Sequence, residues 1–475
     1  MCLCHYAAPR RKPSKTPLTP ISGSEWRYGT PSKVPVTVSR VAESAERIVY
    51  RVAGLPVAVA ALFAASTEDD TDTLQSAFAW SYWHPQGFGD WSELLAGILA
   101  SPFVVALASG WYTWRNRGAI RSQFGKKMLP QIAEQLKLYR SAGVLAPWYY
   151  IFSLHEDGVR RAPTFLQRFE TKRCLFPLLK SKKGTPLNDK SRFAAYCRER
   201  GIRCVPTLME LAGHDPGREL PDCDLFVKPS TGRGGRGAER WDCIEQGIYV
   251  SPAGERLTGA DLLRRLVSSS RRRPLLIQPR LTPHPELKKL TAGALPTLRV
   301  LTCLNESDEP EVVAAMLRTS FGKNRTVDNL HAGGIGALVD LELGALSRSS
   351  NLGADARLGW LSAHPDTGAQ IEGAIVPRWN DAKEMAVAAH RHFRDRIVVG
   401  WDISILPDGP IFIEGNGNPD LDILQRFMPV GLRKHRFGEL LAYHLKRRGF
   451  CGSSRPEGTG ARPYEKRAAP AERPF

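Results

Sequence analysis

The stretch Gly400-Trp401-Asp402-Ile403-Ser404-Ile405-Leu406-Pro407-Asp408-Gly409-Pro410-Ile411-Phe412-Ile413-Glu414-Gly415-Asn416 decides the fold. Two apolar, β-branched runs flank Pro407-Asp408-Gly409, where proline presets the backbone and glycine permits the tight reversal. The pattern predicts a β-hairpin. Side chains alternate across a strand, so Glu414 and Asn416 share a face, and the hairpin can bring Asp402 beside them. Two carboxylates and an amide oxygen make a hard oxygen-donor set, suited to Mg2+ held partly by substrate phosphates. A solvated polar face is the plainer alternative. It explains poorly why Glu414 and Asn416 directly follow Ile411-Phe412-Ile413.

Upstream, Arg299 interrupts the apolar run Pro296-Thr297-Leu298-Arg299-Val300-Leu301. A strand-borne arginine either pairs with a structural carboxylate or aims its planar fork at a transferred phosphoryl group. Further upstream, Phe226-Val227-Lys228-Pro229-Ser230-Thr231 delivers a lysine to Gly232-Arg233-Gly234-Gly235-Arg236-Gly237. Glycines let backbone N–H groups turn toward phosphate oxygens. The spacing is formally that of a dinucleotide fingerprint, but no long helix opens at the third glycine. It is not a Walker A loop either, because no Lys-Ser/Thr follows. Protein-kinase motifs are absent. A phosphate-cradling hairpin is the expectation, with a flexible surface hairpin as the alternative.

Around these motifs the chain reads as mixed α and β. Helices are expected at Ser191–Gly201, Thr258–Ser270, Asp381–Arg396 and Leu432–Arg448, the second opened by the capping-box-like Thr258-x-x-Asp261. Strands are expected at Asp224–Lys228, Leu275–Gln278, Leu298–Leu304, Glu311–Arg318, Ile335–Leu341, Ile397–Leu406 and Pro410–Glu414. Several follow one another without intervening helices. That predicts an α+β fold with antiparallel sheets, not a doubly wound parallel one.

The chain has 475 residues, 42% hydrophobic and 24% charged, which excludes collagen-like, wholly disordered and coiled-coil classes. Lys plus Arg total 66 against 48 acids, a formal charge of +18, pointing to an anionic partner: nucleic acid, phosphorylated small molecules or an acidic membrane surface. The nine cysteines are scattered with no C-x-x-C pair, which argues against a disulfide framework or structural zinc and for a reducing compartment.

The first third poses a membrane question. Residues 1–51 are basic and Pro-rich and read as a disordered tail. Val52–Thr67 and Leu94–Trp114 are uncharged and apolar, and the second is long enough to span a bilayer of ~30 Å. The loop Glu68–Glu93 carries acids and no Lys or Arg, whereas both outer flanks are basic. This is the positive-inside pattern of a two-helix hairpin over 52–114 with both ends in the cytoplasm. A pair of buried core helices is the alternative, and Pro56 and Pro102 suit either. Basic flanks beside such a hairpin attract anionic lipid at ~1 kcal/mol per charge. No nucleic-acid-binding signature accompanies the charge, so no nucleic-acid partner is expected. The expected location is the cytoplasmic membrane with the catalytic domain facing the cytoplasm, the alternative being soluble cytoplasmic.

A lysine on a strand before a glycine-rich hairpin, a downstream arginine, and D…E-x-N on paired strands together resemble the ATP-grasp superfamily. The likeness runs over roughly residues 187–450. It is closest to the sugar-transfer-associated ATP-grasp group related to α-L-glutamate ligases, whose landmarks resemble LNDK (Leu187–Lys190), HPEL (His284–Leu287), TLRV (Thr297–Val300), DNLHAGGI (Asp328–Ile335) and GWD…EGN. The resemblance implies two α+β subdomains gripping ATP over 187–450. Before them lie a helical or linker region, 115–186, and the hairpin; after them comes a disordered tail, 451–475. It implies that Lys190 and Lys228 contact ATP phosphates and that Gly232, Gly234, Gly235 and Gly237 close over them. Gln278 to Leu281 would meet the adenine. Arg299 would stabilise the moving phosphoryl group together with Lys228. Asp402, Glu414 and Asn416 would hold Mg2+, or Mn2+ in its place. Asn329, His331, Gly333 and Gly334 would line the acceptor side. The hinge departs from many relatives in lacking an acidic residue for ribose, and Glu286 is the nearest substitute.

The implied activity is an ATP- and Mg2+-dependent ligase that activates a carboxylate as an acyl phosphate for attack by an amine or other nucleophile, the partners being ATP and a carboxylate or sugar-derived acceptor. The setting would be cell-surface polysaccharide or envelope precursor metabolism. The alternatives are an ATP-dependent kinase on a hydroxyl acceptor and a nucleotide-binding membrane scaffold without turnover.

Overall fold

The computed structural model describes residues 70–450 apart from 84–87, 158, 182–183, 215–216 and 233. Two six-stranded antiparallel sheets organise it. Strands β1 (Met209–Leu211), β2 (Leu225–Pro229), β3 (Glu239–Glu245), β4 (Ile248–Val250), β5 (Arg256–Thr258) and β6 (Leu275–Pro279) form the first, ordered β1-β6-β2-β3-β4-β5. Strands β7 (Thr297–Leu304), β8 (Pro310–Thr319), β9 (Ile335–Val339), β10 (Leu346–Ser350), β11 (Val398–Leu406) and β12 (Gly409–Asn416) form the second, ordered β10-β9-β8-β7-β11-β12. All seven strands expected from sequence are present, within a few residues at their ends. The short β1, β4 and β5 and the polar β3 and β10 carry too little apolar alternation to be read that way.

Strands β7 and β11 are buried along their whole length, as expected for central strands covered on both faces. The Pro407-Asp408-Gly409 reversal joins β11 to β12, with Leu406 directly opposite Gly409. Gly409 has φ 129°, which a side-chain-bearing residue adopts at a cost.

The N-terminal part of the described chain is helical: α1 (Asp70–Trp83), α2 (Phe88–Phe124), α3 (Met128–Ala142) and α4 (Ala146–Ile151). Later come α5 (Lys190–Glu199), α6 (Gly259–Ser270), α7 (Trp379–His390) and α8 (Arg436–Lys446). Thr258 caps α6, its side-chain oxygen accepting from Asp261 N. The expected helix to Arg396 ends instead at His390, followed by a 3-10 turn, Arg391–Phe393.

Three apolar clusters hold these layers together. One lies between the first sheet and α6, with Leu225, Trp241, Leu262 and Leu266 at its centre. A second packs α7 and Phe193 of α5 against the second sheet, around Trp401 and Phe412. The third joins Trp148, Tyr149, Tyr150 and Phe152 to Leu301 and Met316 of the second sheet and to Leu440 and Leu441 of α8. The stretch 115–186, expected to be a helical N-terminal or linker region, shares a core with the second sheet.

The expected membrane hairpin is not supported. Among the described residues no helix is long and apolar enough to cross a membrane. Leu94–Trp114 forms part of α2, which buries Val105, Ala108, Tyr112 and Ile120 within the third cluster. Val52–Thr67 and the tails 1–51 and 451–475 lie outside the described residues.

Candidate active site

Residues of the two sheets and of the loops that leave them line one shared cleft. Phe226, Lys228, Gln278, Pro279, Arg280 and Leu281 line it from the first sheet and its exit; Thr297 and Ile413 line it from the second sheet, and Val327 and Asp328 from the β8–β9 connection. The run Gln278 to Leu281 is therefore in the cleft wall. Arg280 is held there by Asp224 Oδ2 at 3.1 Å and Asp242 Oδ1 at 2.9 Å. Glu286 is exposed, pairs with Lys289 at 2.9 Å, and is not in that wall.

Neighbouring strands assemble a charged cluster that shares Lys228, Thr297 and Asp328 with the cleft lining. Asp402 lies opposite Arg299 of β7 on one side and Glu414 of β12 on the other. Immediately after it the β11–β12 register shifts, inserting Ile413 as an extra residue that faces the cleft. Arg299 Nη2 donates to Asp402 Oδ2 at 3.1 Å, while its Nε binds Oδ1. Arg318 of β8 donates to the same Oδ2 at 3.1 Å and lies 3.4 Å from Asp328 Oδ2. Thr297 Oγ1 bonds both Asp328 and Arg318. Burial alone would raise the Asp402 carboxyl; the Arg299 and Arg318 guanidiniums overcome that and hold it at about 2.

Lys228 and Lys190 complete this cluster. Lys228 is buried, and desolvation pulls its ammonium down to about 8 against the pull of Glu414 and Asp402. Lys190 starts α5, donates to Gly232 O at 3.1 Å and lies 3.5 Å from Glu414 Oε2. Asn416 Nδ2 lies 3.4 Å from Glu414 Oε1. Above them runs the loop of Gly232, Gly234, Gly235 and Gly237, each with positive φ. A side chain at Gly235 would meet Val327 at 2.9 Å, so the loop's backbone lies directly on the opposite wall.

On the far side of Asp402, Pro419 packs against Gly400, near Arg299. The next residue, Asp420, is paired with Arg168 at 2.8 Å and Lys172 at 3.3 Å, and His331 Nε2 lies 3.9 Å from it. Burial opposes ionisation of Asp420, but His331, Lys172 and Arg168 hold its carboxyl well below the usual range. Asp422, bonded to Trp148 Nε1 at 3.0 Å, is pushed up to about 7 by burial and by Asp420. Asn329 Oδ1 accepts from His331 N at 2.8 Å. Gly333 turns the chain at φ 92°, and Gly334 is pinned against the Asp328 and Thr319 carbonyls, where no side chain fits.

A family model described as sugar-transfer associated ATP-grasp matches residues 165–437, more than half of the chain. The chain belongs to this family. Solved structures similar to parts of this ATP-grasp chain include D-alanyl-alanine synthetase A from Vibrio cholerae O1 biovar eltor, at 13% identity and TM-score 0.32, covering 55% of this chain and 64% of that one. Another is N5-carboxyaminoimidazole synthase from Aspergillus clavatus, at 12% identity and TM-score 0.29, covering 52% and 51%. A third is L-amino acid ligase from Bacillus licheniformis, at 9% identity and TM-score 0.31, covering 55% and 48%. The chain spans between 48% and 64% of the length of these solved proteins. No curated protein matches it.

ATP and Mg2+ are the cofactors that go with an ATP-grasp protein, and the residues present fit both. Asp402 and Glu414 are oxygen donors opposite each other on adjacent strands, with the Asn416 amide two residues further along β12. Lys190, Lys228, Arg299 and Arg318 outnumber Asp328, Asp402 and Glu414, a surplus of positive charge that suits a polyphosphate. Among the described residues no group of three His, Cys, Asp or Glu side chains is placed to hold a metal.

Sequence reading missed Arg318, Asp328, Asp420, Arg168 and Lys172 as site residues. Arg318 carries the same signal as Arg299, a lone charge in an apolar strand, Ala314-Ala315-Met316-Leu317-Arg318. Arg168 and Lys172 carry no such signal. They reach Asp420 only because the N-terminal helical region packs on the second sheet.

Proposed function

We propose that this ATP-grasp protein is an ATP- and Mg2+-dependent ligase that activates a carboxylate as an acyl phosphate. The observation that carries the reading is the arrangement of Lys228, Arg299 and Arg318 around Asp402 and Glu414, beside a cleft that Lys228, Thr297 and Asp328 line. A carboxylate oxygen of the acceptor attacks the γ-phosphorus, the bond to the bridging oxygen breaks, and ADP leaves. An amine or other nucleophile then attacks the acyl carbon, releasing phosphate and a proton. The protein supplies no covalent nucleophile. Its cationic side chains neutralise the transferred group and hold it in line. Mg2+ held by Asp402, Glu414 and Asn416 supplies further charge neutralisation when bound.

In this reading Gln278 to Leu281 meet the adenine, and Lys190, Lys228 and the Gly232–Gly237 loop hold the phosphates. The acceptor lies beside Arg299, toward Asn329, His331, Gly333 and Gly334, with Arg168 and Lys172 behind Asp420. An acceptor derived from a cell-surface polymer precursor would suit the family's association with sugar transfer.

The test is ADP release from full-length protein with Mg·ATP over a panel of carboxylates, with hydroxylamine present. Acceptor-dependent ADP release together with a hydroxamate supports the ligase. Release without hydroxamate points to phosphorylation of a hydroxyl acceptor. ATP binding with no acceptor-dependent release across the panel leaves a nucleotide-binding scaffold.

A further inference from the structure

Helix α2 has two unlike faces along its 37 residues. Ser101, Val105, Ala108, Tyr112, Asn116 and Ile120 recur at three- and four-residue spacing and are buried. Tyr112 stacks with Tyr150 at 6.5 Å, and Asn116 Oδ1 accepts from Ala356 N at 2.8 Å, which fastens this face to the body of the protein. The other face exposes Leu95, Leu99, Phe103, Leu107 and Trp114, whose exposures lie between 51% and 73%. At about 100° per residue these five fall within an arc of about 120°. A single exposed leucine is ordinary, but a contiguous row of large apolar side chains marks an interaction surface.

The row runs into cations. Arg117 and Arg121 continue the same arc beyond Trp114 and are exposed. The Arg117 guanidinium lies 4.6 Å from the Trp114 ring centroid, and its Nη1 donates to Trp114 O at 2.6 Å. Lys127, Lys137 and Arg140 on the following turn and helix are exposed too, while Glu134 is paired with Lys126 at 2.9 Å. The exposed arc therefore carries leucines, Phe103 and Trp114 toward one end and Arg117 and Arg121 toward the other. One exposed face thus offers what an anionic bilayer surface takes up: apolar side chains for the acyl region, a tryptophan for the headgroup level and cations for the phosphates.

We infer that the face of α2 from Leu95 to Arg121 docks on an anionic lipid bilayer, with the helix lying on the surface and not crossing it. Crossing would require hydrocarbon around the whole helix, and its opposite face is occupied by the protein's own core. The inference is independent of the activity proposed above. It replaces the spanning hairpin read from sequence with a peripheral contact made by the same residues.

Full-length protein would be floated with phosphatidylcholine vesicles and with vesicles also containing phosphatidylglycerol. The wild type is expected to float with the mixed vesicles. The triple variant Leu99→Ser/Phe103→Ser/Leu107→Ser should bind them more than roughly tenfold more weakly, because it removes three bilayer-facing apolar side chains. Arg117→Gln/Arg121→Gln should weaken binding to mixed vesicles while leaving any binding to phosphatidylcholine unchanged. Ile244→Ser, an exposed apolar residue of the first sheet, should change nothing. A retained Mg·ATP thermal shift, or an unchanged circular dichroism melt, would establish that each variant is folded. Equal flotation of wild type and triple variant would overturn the inference and assign any membrane affinity to another segment, such as Val52–Thr67. Failure of the wild type to bind either vesicle would overturn it as well. So would conversion of a wild-type dimer to monomer by the triple variant without vesicle binding, which would make the row a subunit interface.

Discussion

Asp402 concentrates the electrostatics of the site. It accepts from two guanidiniums, Arg299 and Arg318, with all three side chains buried. Asp402→Asn would leave two buried cations without their shared anion, at a cost of ~3–5 kcal/mol. Urea denaturation of the two proteins should show that loss in the midpoint, together with loss of stabilisation by Mg·ATP. Lys228 sets the expected pH response. Its folded-state pKa of about 8 lies below the ordinary lysine value, so it is charged below about 8 and neutral above. Burying that charge costs stability below about 8, and the cost fades as pH rises toward the unfolded value. Phosphate binding runs the other way, because it needs the charge. Calorimetric ATP affinity should fall as pH rises through about 8, and Lys228→Arg, which stays charged, should flatten the fall. An unchanged alkaline limb in that variant would remove Lys228 from the phosphate site.

Among elements, the glycine-rich loop is the one whose backbone conformation does the most. Gly235 has φ 70°, and a side chain there would strike Val327 across the cleft. Gly235→Ala should therefore lift the loop, weakening nucleotide affinity severalfold while shifting the melting temperature by only a few degrees, since the loop holds no core residue. Comparable losses of affinity and of global stability would show the loop to be structural instead. Helix α6 offers a control remote from chemistry. Thr258→Ala removes its cap and should cost about 1 kcal/mol in chemical denaturation with no change in ATP binding.

At the scale of the whole molecule, the cleft is lined from both sheets, so a ligand that touches both should stiffen the entire chain. Mg·ATP at about 100 times its dissociation constant should stabilise the protein by ~2.7 kcal/mol, and chelating the metal should remove the part owed to Mg2+. The N-terminal helical region belongs to the same core. A fragment beginning at Leu187 would expose Leu301, Met316, Leu440 and Leu441 where Trp148, Tyr149, Tyr150 and Phe152 now pack, and would lose Arg168 and Lys172 from beside Asp420. It should bind a hydrophobic dye and lack a cooperative melt. A cooperative melt equal to that of the full chain would show residues 187–450 to be self-sufficient.

The amino-acid sequence by itself determined the antiparallel α+β class, the β11–β12 hairpin and the neighbourhood of Asp402, Glu414 and Asn416. Those features rest on local information: alternation of apolar side chains, turn chemistry at Pro407-Asp408-Gly409, and a charge standing alone in an apolar strand. Tertiary structure alone decided which distant charges meet. Arg318 joins Asp402 because β8 lies beside β7, and Arg168 and Lys172 reach Asp420 because a helical region far upstream is buried against the second sheet. It decided the place of α2 as well. The apolar run from Leu94 to Trp114 has the same composition whether it crosses a bilayer or lies beside a core. Only packing distinguishes its buried Val105, Ala108 and Tyr112 from its exposed Leu99, Phe103 and Leu107, because burial depends on neighbours that local sequence does not name.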